Sequence, residues 1–305
     1  MTDSGCEPIL GVRHTAPGFA MPAGATDCHV HVFGPADRFA FAPARTYTPG
    51  DASLADLKRL HTFLGIERVV VVHPSPYGAD NACSIDAARW IGPSARVVAV
   101  IEGGESDATL EAMHQSGVRG VRLNLHSTGV FEPEAAWAGF EAAARRVASL
   151  GWHVQTFTSL DMIAALAGRL ASLPVTLVID HFGHAQASRG PDQEGFAALL
   201  GLVAGGKTYV KLSAGYRISS EPGWSDIPPI AKALIAANPG RVVWGSDWPH
   251  PGGGARTAAS IDTIEPFQPI DDGAALDRLR DWCAGDAGLL RRILVDNPAR
   301  LYDFA

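Results

Sequence analysis

Two histidines two positions apart follow an aspartate in the run Asp27-Cys28-His29-Val30-His31. Side chains alternate along a strand, so His29 and His31 point to the same side. A neutral imidazole nitrogen can ligate a metal or bond a polarised oxygen, although two histidines packed in a strand give the same spacing. Two other segments end in comparable groups: Ile179-Asp180-His181-Phe182-Gly183 and Gly245-Ser246-Asp247-Trp248-Pro249-His250. Charged groups after apolar runs are costly without partners, so His29, His31, His181 and Asp247 point to one shared site. Arg122 and Asn124 also share a face, with Arg119 on the opposite one. Arg122 suits a bidentate clamp on a carboxylate, or an ion pair with a neighbouring acid such as Glu102. Arg217 is a second candidate anion contact or a solvated loop arginine.

Eight short apolar, β-branched runs hold these residues: Thr26–Phe33, Arg68–His73, Arg96–Ile101, Val118–Leu125, His153–Thr158, Thr176–His181, Thr208–Ser213 and Arg241–Ser246. Continuous apolar runs mark strands buried on both faces. Segments of helical period separate them, with starts expected at Ser53, three residues before Asp56, and at Asp107. Such alternation predicts right-handed crossovers and an α/β fold, a (β/α)₈ TIM barrel, whose catalytic groups lie at strand ends.

The 305 residues suit one barrel domain over 1–305, with an N-terminal extension at 1–25, a long loop at 251–273 and C-terminal helices at 274–305. The last helix is expected over Leu289–Val295, closed by Asn297-Pro298. Hydrophobic residues at 47% and charged residues at 19% supply one large core. A net charge of −7 and scattered basic residues argue against nucleic acid. Four distant cysteines imply neither a zinc ribbon nor a disulfide framework. No signal peptide or membrane span is read, so a cytoplasmic protein is expected, with room for a homo-oligomer.

Four stretches together resemble the lactonase branch of the amidohydrolase superfamily: 27 to 35, Gly-Val-Arg-Gly-Val-Arg-Leu-Asn at 117 to 124, Val-Ile-Asp-His-Phe-Gly at 178 to 183, and Trp-Gly-Ser-Asp-Trp-Pro-His-Pro at 244 to 251. The resemblance spans nearly the whole chain in order. It implies that Asp247 is the general base for water and that His29, His31 and His181 polarise a lactone carbonyl. It further implies that Arg122 and Arg217 hold substrate carboxylates, with Tyr47 and Ser75 near the substrate. The substrate expected is a small anionic lactone of the pyrone-dicarboxylate, muconolactone or sugar-acid kind.

Two positions depart from the dicarboxylate-cleaving members. Thr128 stands where they have an arginine, and Phe157 where they have a tyrosine. Gln155-Thr156-Phe157 supplies no fifth-strand metal ligand and Arg122-Leu123-Asn124 no bridging lysine. Metal-free catalysis is therefore expected, the alternative being one Zn²⁺ on His29, His31, His181 and Asp247. Rival readings are a zinc-dependent decarboxylase, a sugar-lactone isomerase and a non-catalytic binding barrel. The missing fifth-strand ligand weighs against the first and Asp247 against the second.

Overall fold

The computed structural model describes residues 7–252 and 260–305. Eight strands form one sheet in sequential order: β1 Thr26–Val30, β2 Arg68–Val72, β3 Ala95–Ala99, β4 Val118–Leu123, β5 His153–Thr156, β6 Leu177–Ile179, β7 Thr208–Ser213 and β8 Val242–Gly245. Every neighbouring pair is parallel. The sheet closes where His31 N donates to Trp248 O at 2.7 Å and Asp247 N donates to His29 O at 2.8 Å. This is the (β/α)₈ barrel that the alternating pattern predicts.

The β2 run shows why continuous apolar sequence is needed here. Val69 and Val71 pack outward against the helices, whereas Val70 and Val72 fill the barrel interior with Cys28, Val98, Val178 and Val243. Tyr302 and Phe304 complete that inner cluster from the C-terminal end of the chain. Apolar side chains are thus required on both faces of each strand.

Several boundaries differ from the sequence reading. Strand β1 stops at Val30 and β6 at Ile179, short of the expected Phe33 and His181, although backbone bonds such as His31 N to Trp248 O and Asp180 N to Thr156 O continue past both ends. Ser53 caps its helix by accepting from Asp56 N, as expected. At the third helix Ser106 is the cap, accepting from Thr109 N, and Asp107 lies inside the first turn. Asn297-Pro298 does not end the last helix. Pro298 sits in a first turn, where its missing N–H costs nothing, and helix continues to Tyr302. Within 251–273, residues 253–259 lie outside the described residues, and Ile264–Glu265 pairs in parallel with Thr48–Pro49. Among the described residues no helix is long and apolar enough to cross a membrane.

Two local devices shape β1. Its register on β2 shifts between Asp27 and Val30, which face Val69 and Val71. Such a bulge re-aims side chains. Gly245 allows the close approach of β8, since a Cβ there would lie 2.7 Å from His29 Cβ and 2.8 Å from His29 N. Asp27 belongs to this seam and not to the ligand cluster. Its Oδ1 accepts from Ser246 N at 2.9 Å and His29 N at 3.1 Å, and its Oδ2 lies 3.3 Å from His61 Nε2.

Two buried histidines make the fold acid-sensitive. Burial pushes His73 down to about 4 and His153 down to about 3. The unfolded chain protonates both near 6.5, so their contribution is complete above that pH and is lost as pH falls towards the folded values. Each should cost about 1.4 kcal/mol per pH unit below 6.5. Urea midpoints measured from pH 7 to pH 5 should fall steadily, whereas a flat profile would contradict neutral burial of these rings.

Candidate active site

Just past β8 the backbone of Asp247 adopts a left-handed conformation, with φ at 67°. Its carboxylate is fully buried at the barrel mouth. Oδ1 lies 3.3 Å from His31 Nε2, 3.5 Å from His29 Nε2 and 3.9 Å from His181 Nε2. Oδ2 accepts from Tyr216 Oη at 2.6 Å and Arg217 Nε at 3.0 Å. Burial alone would raise the Asp247 carboxyl, but the adjacent Arg217 cation and the imidazoles outweigh it and hold the group well below the usual carboxylate range. Asp247 is ionised at neutral pH.

Each imidazole is anchored by its other nitrogen. His31 Nδ1 lies 2.8 Å from Val72 O, and because a carbonyl only accepts, this nitrogen carries the proton. A neutral His31 therefore presents a bare Nε2. His181 Nδ1 bonds Ser213 Oγ at 2.8 Å, and burial pushes His181 well below its ordinary value. His29 Nδ1 sits 3.3 Å from Asp180 Oδ1 and 3.2 Å from Lys211 Nζ. Burial, aided by the Lys211 charge, pushes His29 down to about 3.

These groups fit a metal. His29 Nε2 and Asp247 Oδ1 are buried without hydrogen-bond partners. Spacings of 3.3 and 3.5 Å match the roughly 3.3 Å between ligands of a tetrahedral ion bound at about 2.0–2.1 Å. Anchoring of the remote nitrogen is also the usual support for a ligating histidine. Among the described residues, His29, His31 and Asp247 form one candidate ligand group and His29, Asp180 and His181 another.

A buried charge network lies behind His29. Lys211 Nζ donates to Cys28 O at 2.9 Å and Gln155 Oε1 at 2.8 Å, and lies 3.4 Å from Asp180 Oδ1. Gln155 Nε2 donates to Asp180 Oδ2 at 3.1 Å, and Arg122 Nε lies 3.5 Å from the same oxygen. Arg122 is therefore paired with Asp180, not Glu102, which is exposed. Lys211 and Arg122 keep Asp180 ionised despite its burial.

A cavity of about 300 Å³ opens above Asp247. His31, His181, Arg122, Arg217, Tyr47 and Ser75 line it, and Asn124 joins them. Asn124 Oδ1 also accepts from Ser127 N, capping a single helical turn after β4. Phe157 is a hub on the wall: Arg122 and Arg217 lie 5.8 and 5.5 Å from its ring centre. His184 and His126 pack on it at 4.7 and 5.0 Å. The cavity thus brings Arg122 and Arg217 together above the ionised Asp247 carboxylate and its three neighbouring imidazoles.

The amidohydrolase family profile matches residues 26–304. The chain belongs to the amidohydrolase family. It is 38% identical to a 2-pyrone-4,6-dicarboxylate hydrolase of Comamonas testosteroni, over 94% of this chain and 92% of that one. A 4-sulfomuconolactone hydrolase of Rhizobium radiobacter is 36% identical, over 98% of this chain and 97% of that one. A solved Pseudomonas putida structure, provisionally assigned as a 2-pyrone-4,6-dicarboxylic acid hydrolase, superposes with a TM-score of 0.77 at 33% identity. It covers 93% of this chain and 98% of that one.

Several residues of this amidohydrolase site escape the sequence reading. Lys211 lies mid-strand in an apolar run and Glu265 in a stretch without periodicity. Tyr216 adjoins Arg217, so its position after β7 was the one available signal. Replacing Arg217 by Gln removes the cation nearest Asp247. The Asp247 carboxyl should then titrate at a higher pH than in the wild type, because the opposite charge that holds it down is gone. A carboxylate-resolved NMR titration checks this, and an unmoved midpoint would show that Arg217 does not control the carboxylate.

Proposed function

We infer that this amidohydrolase is a lactone hydrolase, a carboxylic ester hydrolase that opens a small anionic lactone. The observation that carries the reading is the set of three imidazole Nε2 atoms around Asp247 Oδ1 beneath a cavity walled by Arg122 and Arg217. Relatives at 36–38% identity are named as hydrolases of two such compounds. Buried, unpaired thiols at Cys28, Cys83 and Cys283 suit a reducing compartment, and we place the enzyme in the cytoplasm.

In this reading Tyr216 and Arg217 fix Oδ2, leaving Oδ1 to accept a proton from water. The water oxygen bonds to the lactone carbonyl carbon, and the ring C–O bond breaks. Asp247 then returns its proton to the leaving oxygen, and the product is an open-chain hydroxy or keto acid. Arg122 and the outer face of Arg217 orient the acidic group of the substrate. His29 and His181 can donate from Nε2 to the carbonyl oxygen when Lys211 and Ser213 donate to their Nδ1 atoms.

His31 distinguishes two versions. Its Nδ1 proton is committed to Val72 O, so a metal-free site needs a second proton on His31 before it can donate. One Zn²⁺ held by His29, His31, His181 and Asp247 needs none, and would supply Lewis-acid polarisation and a more acidic water. The His31 tautomer thus favours the metal version over the metal-free one that the sequence resemblance implies.

Asp247→Asn should lower kcat on any opened lactone by about 10²- to 10⁴-fold, the usual contribution of a general base. A pH-stat assay measures this, and unchanged turnover would remove Asp247 from that role. Elemental analysis of protein purified without chelator should find about one zinc per chain, with activity lost on chelation and restored by zinc. Full activity in metal-stripped protein would return the site to the metal-free version.

A further inference from the structure

Glu265 has no part in the reaction as derived, yet it lines the same cavity. Its residue is only 8% exposed, and Oε2 is buried without a hydrogen-bond partner. Pairing of Ile264–Glu265 with Thr48–Pro49 sets it on the wall beside Tyr47, whose hydroxyl is pushed up mainly by burial, with Glu265 adding to the effect. The other carboxylates at the site are neutralised: Asp247 by Arg217 and Asp180 by Lys211 and Arg122.

A buried carboxylate oxygen without a partner is unfavourable by several kcal/mol in general, so its place in a binding cavity points to a ligand that supplies the missing donor. A hydroxyl does so. A second carboxylate repels it. Among the described residues that line the cavity, Arg122 and Arg217 are the only arginines or lysines. His184 is held down to about 4 and His126 is lowered too, both chiefly by burial and with Arg217 contributing, so these rings are neutral at pH 7.

We propose that Glu265 selects the substrate by accepting a hydrogen bond from a ring hydroxyl, so that the preferred substrate is a hydroxylated lactone with a single acidic group. The acidic group binds at Arg122 and Arg217 and the hydroxyl at Glu265. This rests on the lactone-hydrolase reading and narrows its substrate class.

The test uses three lactones: one with a single carboxylate and a ring hydroxyl, its deoxy counterpart, and 2-pyrone-4,6-dicarboxylate. Wild-type kcat/KM should favour the hydroxylated lactone over the deoxy one by at least about tenfold, the effect of one hydrogen bond to a charged group, with the difference in KM. Glu265→Ala should bring that ratio close to one. Glu265→Gln, which keeps an acceptor but removes the charge, should retain part of it and raise kcat/KM on the dicarboxylate. Wild-type preference for the deoxy lactone or the dicarboxylate overturns the proposal, and so do variants that change all three substrates equally. If a variant fails to fold, the wild-type ratio alone decides. A wild-type chain that opens none of the three overturns the lactone-hydrolase reading itself, whereas one that opens them without discrimination overturns only the role of Glu265.

Discussion

The bond from Asp247 N to His29 O, 2.8 Å long, joins the last strand of the barrel to the first. Everything at the site depends on that seam. It brings the Asp247 carboxylate against His29 on the first strand and His31 just beyond it. The seam in turn requires a residue without a side chain at Gly245 and the Asp27 carboxylate as a second clasp. Barrel closure and site assembly are therefore one event, and a change that loosens the β1–β8 contact acts on chemistry and stability together.

Keeping charges inside the barrel demands an unusual degree of pairing. Asp180, Lys211 and Arg122, with Gln155, form one cluster of opposite charges behind His29, while Tyr216 and Arg217 bond one oxygen of Asp247. The atoms left unsatisfied are informative by contrast. Asp247 Oδ1 and His29 Nε2 face each other, and Glu265, whose Oε2 has no partner, lines the cavity. Native interiors leave few such atoms, and these three belong to residues at or beside the cavity.

Much of the architecture was legible because the signals are local. Val-rich runs buried on both faces alternate with helical segments, and that alternation has one common closed solution. The cluster of His29, His31, His181 and Asp247 was legible for a related reason, since ionisable groups after apolar runs must meet partners. Other features were not. Lys211 reads as a strand residue like any other, and only closure shows that its ammonium reaches Cys28 O and Gln155 Oε1. Arg122 carried no mark of its true partner, because Asp180 and Glu102 are equally acidic on paper and differ only in which strand lies next to which.

By itself, then, the sequence determined the barrel, the order of its strands and the residue types gathered at its mouth. Periodicity and composition act within a segment, and these properties need nothing more. The tertiary structure decided what each polar atom faces. It made Asp27 a clasp and His31 a donor to Val72 O, tied Arg217 to Asp247, and left Glu265 open to the cavity. Those assignments depend on distances of a few ångströms between residues far apart in the chain, which backbone closure sets and residue spacing does not encode.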